Sequence, residues 1–61
     1  MITFYISRYE QIHQKRPRGL GRWTFQIGYS LHTFDGMYSA ARNLARRQAR
    51  IAGESVVEVL P

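Results

Sequence analysis

Apolar side chains alternate with polar ones along the first half of this chain and take up a helical period in the second. Ile2, Phe4 and Ile6 fall on one side of residues 2–9 and Thr3, Tyr5, Ser7 and Tyr9 on the other, which predicts a strand. Residues 10–21 are polar and broken by Pro17, Gly19 and Gly21, as a loop is. Trp23, Phe25 and Ile27 then alternate with Arg22, Thr24 and Gln26, the clearest strand pattern in the sequence. Gly28-Tyr29 suits a two-residue hairpin turn, with a bulge at Gly28 as the other reading. A short third strand follows over residues 30–34, with Leu31 packing inward and Phe34 a further inward candidate.

From Met37 the period lengthens. Met37, Ala41, Leu44, Gln48 and Ile51 share one helical face, flanked by Ala40, Ala45 and Ala52. Arg42, Arg46 and Arg50 recur at four-residue steps on the opposite face, beside Asn43 and Arg47. Asp35 is the N-cap candidate with Thr33 as its competitor, and Gly53 is the C-cap. Val56, Val57, Val59 and Leu60 around Glu58 predict a closing strand over residues 55–60. The order is β-β-β-α-β, an α+β fold in which a three- or four-stranded antiparallel sheet packs on one amphipathic helix. Phe25, Ile27 and Leu44 are expected in the core, while Trp23 reads either as core or as a solvent-facing aromatic.

Size sharpens this picture. The 61 residues form one domain, 1–61, and a chain this short buries only ~60% of its unfolded surface. Cysteine is absent, which excludes disulfides and the common zinc frameworks. His13 and His32 have no suitably spaced third ligand, so neither metal nor cofactor is expected. A homodimer is the natural source of added stability. The apolar opening, residues 1–6, is short, lacks a preceding basic region and soon meets Arg8 and Glu10, so a cytoplasmic protein without a membrane span is expected.

Charge then points to a partner. Nine basic residues face four acids, for a net charge of +5, and Lys15 is the only basic residue that is not arginine. Guanidinium forks suit phosphates and base edges better than ammonium groups do. No acid lies between Asp35 and Glu54, so the helix arginines have no partner of opposite sign within their own helix. The expectation is a non-catalytic nucleic-acid-binding module, with duplex DNA ahead of RNA. Arg16, Arg18 and Arg22 would contact phosphates, and Arg42, Arg46 and Arg50 would form a second surface. Whether the loop and helix arginines share one face is open at this level. The alternative is a small interaction module that binds an acidic protein surface. No enzyme is expected: Asp35, Glu54 and Glu58 are scattered, no serine sits in a nucleophile motif, and Gly19 and Gly21 start no phosphate-binding loop.

The run Thr33 to Arg42 (TFDGMYSAAR), with RGLGRWTFQI before it, resembles the ethylene-response-factor type of plant DNA-binding domain. It also resembles the similar arm-binding domains of phage integrases. Arg18-Gly19, Gly21-Arg22-Trp23, Thr33-Phe34-Asp35 and Ala40-Ala41 carry the likeness. It implies a three-stranded sheet docked in the major groove, with Arg18, Arg22 and Trp23 facing DNA. Ala41-Arg42-Asn43-Leu44-Ala45 and the closing valine strand resemble a second group, short uncharacterised bacterial domains of β-β-α-β order, which imply no known activity.

Overall fold

A computed structural model describes residues 1–61 and shows six elements. They are β1 (Thr3–Tyr5), α1 (Ser7–His13), β2 (Leu20–Ile27), β3 (Ser30–Met37), α2 (Tyr38–Ala52) and β4 (Val56–Val59). The strands form one mixed sheet in the order β1-β4-β2-β3, and α2 packs across β2, β3 and β4 on one face. The α+β class and the long helix on a sheet are as the sequence predicts.

The β2–β3 hairpin is its backbone. The two strands pair from Leu20↔Met37 to Ile27↔Ser30, and the turn is Gly28-Tyr29, with Gly28 at φ 60. Glycine is needed there because a side chain disfavours that left-handed angle. Trp23, Phe25 and Ile27 all point towards α2 and are buried. Val57 and Val59 of β4 lie beside Ile27 and Phe25 on the same face and are fully buried. The fully buried residues of α2 are all alanines, Ala41, Ala45 and Ala49, whose small side chains let the helix approach the strands closely, while Tyr38 packs half-buried against Trp23 and Phe25.

Four sequence expectations need correction. The chain does not continue as a strand to Tyr9. It turns into α1 after Ile6, where the Glu10 N–H donates to the Ile6 carbonyl at 2.9 Å. Tyr9 is thereby carried into the core against Trp23, with ring centroids 5.7 Å apart, and stacks on His13 one helical turn later. The order is therefore β-α-β-β-α-β. Secondly, the sheet is not wholly antiparallel. The α1 segment reverses the chain between β1 and β2, the hairpin reverses it again into β3, and α2 crosses back over the sheet so that β4 starts in the same direction as β3. β1 and β4 thus both run against β2, and as neighbours they pair in parallel.

Thirdly, β3 runs through Asp35 to Met37, and neither Asp35 nor Thr33 caps α2. Met37 holds the cap position without a side-chain bond, and the Tyr38 N–H instead donates to the Gly19 carbonyl at 2.8 Å. Fourthly, Leu44 and Leu31 are exposed rather than core. The alanine stripe faces the sheet and leaves Leu44 on the helix flank, while Leu31 points to the sheet's other, open face beside Thr33 and Asp35. Phe34 is half-buried beneath α2.

Candidate nucleic-acid interface

An Ala-Arg pair occurs three times along α2: Ala41-Arg42, Ala45-Arg46 and Ala49-Arg50. One residue is a rotation of ~100° about a helix, so each arginine sits beside the buried alanine stripe rather than opposite it. The three side chains therefore project along the flank of α2 that overhangs β1. The Arg42 guanidinium lies over the Phe4 ring at 4.6 Å from its centroid, and Arg46 over the same ring at 5.6 Å. Both arginines are half-buried. A guanidinium stacked on an aromatic face keeps its N–H edge free for an anion. The Arg46 Nη1 also donates to Asn43 Oδ1 at 3.0 Å, which further restricts its position.

Arg42, Arg46 and Arg50 line one open cleft of about 620 Å³ together with Ile2, Glu54 and Ser55. Arg42 also borders a second cleft, of about 290 Å³, with Phe4, Tyr38 and Arg16. Pro17, buried at this point, pins the loop so that Arg16 reaches the helix row. One of the loop arginines thus joins the helix arginines, which share Arg42 between two adjoining clefts. Beside Arg42, the half-buried Tyr38 hydroxyl is pushed to a pKa above the usual phenol range by burial, an effect the Arg42 charge partly opposes.

Arg18 and Arg22 lie elsewhere. With Lys15 and His13 they border a separate cleft of about 340 Å³ at the end of β2, beside Tyr9 and Leu60. Trp23 contributes little to that surface. It is 5% exposed, its Nε1–H donates to the Gly36 carbonyl at 3.0 Å, and its ring packs 4.9 Å from that of Tyr38. The major-groove role that the resemblance implies for Trp23 does not fit this burial.

Three of the four acids are engaged on arginines outside the helix row: Arg8–Glu58 at 3.3 Å, Arg16–Glu10 at 3.9 Å and Arg22–Asp35 at 3.0 Å. The Asp35 hydrogen bond and charge raise the pKa of Arg22 further, so this guanidinium is both charged and occupied. Arg42, Arg46 and Arg50 join no ion pair, and neither do Lys15, Arg18 and Arg47. Phe4 as a platform for two arginines escaped the sequence reading; the repeated Ala-Arg pair was the signal for it. No three His, Asp or Glu side chains converge as metal ligands, and no helix is long and apolar enough to cross a membrane. Comparison with protein-family models, curated proteins and solved structures finds no match for this chain.

Proposed function

We propose that this protein is a non-catalytic nucleic-acid-binding module that grips a phosphate backbone along Arg42, Arg46 and Arg50, joined by Arg16, whose exposed pair with Glu10 is loose at 3.9 Å, with duplex DNA preferred over RNA. The observation that carries the reading is the row of three helix arginines free of acidic partners, two of them held over Phe4. A rise of 1.5 Å per residue spaces the row at ~6 Å intervals over ~12 Å, room for about three phosphates of one strand at 3.4 Å each along the duplex axis. Each contact releases condensed counterions, so the affinity is electrostatic and falls with salt.

Backbone contact is favoured over base stacking because no aromatic side chain near the row offers an open face: Tyr38, beside Arg42, is half-buried. Phe4 lies under Arg42 and Arg46, and Trp23 and Tyr9 are buried. That favours a duplex over a single strand, whose binders stack bases on open aromatic faces. The proposed setting is the cytoplasm. Fluorescence-anisotropy titration of labelled duplex and single-stranded DNA and RNA, at several salt concentrations, tests the reading. Salt-sensitive binding with the duplex ahead supports it; no binding at low salt sinks it and leaves an acidic protein surface as the partner to seek.

A further inference from the structure

β3 is an edge strand eight residues long, with β2 on one side and solvent on the other. The other edge, β1, has three residues. Proteins guard long edges with lysine, proline or a bulge, because unpaired N–H and C=O groups recruit further strands. β3 has none of these: it contains no lysine or proline, and it pairs with β2 in unbroken register.

The groups on offer can be assigned. The Thr24 carbonyl accepts from the Leu60 N–H at 2.9 Å, so Thr24 turns its backbone towards β4. Its partner Thr33 must then turn its own N–H and C=O outwards, as must Leu31 and Asp35 at two-residue steps. Above this edge lies the flank of α2 opposite the arginine row. It carries Leu44, Ile51 and Ala40, all exposed. The apolar helical face that the sequence marks out is thus wider than the sheet beneath it covers. Few charges occupy this side: Asp35, tied to Arg22, and Arg47.

We propose that a second copy of this chain docks here, pairing β3 with β3 across a two-fold axis and packing α2 against α2 above the extended sheet. A two-fold contact is self-complementary, and an antiparallel strand pair meets that demand with its own backbone. The side chains select the register. Centring on Asp35 sets two carboxylates against each other, and centring on Thr33 sets Leu31 against Asp35. Centring on Phe34 sets exposed Leu31 against exposed Met37 twice over on the open face. The helices agree with the last. α2 runs back over β3, bringing Glu54 against Gly28 at the hairpin end. Leu44 lies ~9 Å along the helix from Tyr38, and Phe34 ~10 Å along the strand from Met37. Leu44 therefore stands level with Phe34, where the two helices come nearest the axis. The arginine rows lie on the far flanks, so the two copies meet without opposing their strongest charges.

Sedimentation equilibrium of the full chain in high salt, free of nucleic acid, tests this. The expected mass is twice 7.1 kDa. Leu44→Glu, and independently Thr33→Pro, which removes an outward N–H and the exposed Thr33–Thr24 hydroxyl contact at 3.1 Å but no bond of the β2–β3 ladder, should each yield the single-chain mass with unchanged circular dichroism. Arg46→Gln should leave the dimer intact, which separates this surface from nucleic-acid binding. Leu31→Cys with Met37→Cys, in a chain without other cysteines, should cross-link two copies; within one strand the pair is ~20 Å apart and cannot bridge. A single-chain mass at every concentration, or a dimer indifferent to both Leu44→Glu and Thr33→Pro, overturns the proposal. A dimer that fails to cross-link overturns its Phe34-centred register.

Discussion

Replacing Trp23 with phenylalanine separates a structural role from a nucleic-acid role at the residue where sequence leaves both open. The indole Nε1–H donates to the Gly36 carbonyl at 3.0 Å, and the ring fills the space between Tyr9 and Tyr38. Phenylalanine removes the donor, which strands a half-buried carbonyl at ~1–3 kcal/mol, and leaves a void worth ~1 kcal/mol more. The sum, about 2–4 kcal/mol, is a large part of the ~3–9 kcal/mol expected for a chain of this length. At roughly 4–8 °C per kcal/mol, the melting midpoint should fall by about 8–32 °C. Thermal unfolding followed by far-ultraviolet circular dichroism reads the shift, and anisotropy with labelled duplex, well below the variant's midpoint, reads binding. The expected result is a large loss of stability with affinity nearly unchanged. A midpoint within ~2 °C of the parent, together with lost binding, would refute the reasoning and return Trp23 to the interface.

Gly28→Ala should cost about 1–2 kcal/mol in urea unfolding because φ 60 strains any side chain; the nearby Glu54 carboxylate, 3.2 Å from the added carbon, is flexible enough to move aside. Ala45→Leu should destabilise by about 1–3 kcal/mol by the same measurement, since Ala45 is fully buried where α2 meets the sheet. Stability should hold from neutral pH to about 10 and then fall. Burial raises the pKa of Tyr38, so the folded state keeps a proton that the unfolded chain releases first; Tyr38→Phe should lessen this alkaline loss in urea titrations at paired pH values.

What the sequence reveals is uneven for physical reasons. The β2–β3 hairpin is legible because alternation and Gly28 specify the same turn. Helix α2 is legible from its period, but the period alone marks two apolar stripes, one of alanines and one running through Leu44 and Ile51. Close packing on the sheet selects the alanines, and that choice moves the arginines from the far side of the helix to its flank. Helix α1 is hidden because Ile2, Phe4 and Ile6 establish an alternation that Ser7 and Tyr9 happen to continue. The Tyr9/His13 spacing is its one helical sign. Asp35 looks like a cap from composition, yet the β2 ladder extends past it and Arg22 takes its carboxylate. The grouping of Arg16 with α2, and of Arg18 with Arg22, depends on which way each loop residue faces around Pro17, and local sequence carries no trace of that.

The most direct test of the arginine row is the dependence of duplex-DNA affinity on salt for the parent, Arg46→Gln and Arg22→Gln. Each neutralised phosphate contributes about −0.9 to the slope of log K against log salt, so the parent should show roughly −3 to −4. Arg46→Gln should lower affinity at every salt concentration and reduce the steepness by about one, while Arg22→Gln, whose guanidinium is held by Asp35, should match the parent. The reverse pattern, with Arg22→Gln flattening the slope and Arg46→Gln leaving it unchanged, would contradict the account and move the interface to the cleft at the end of β2.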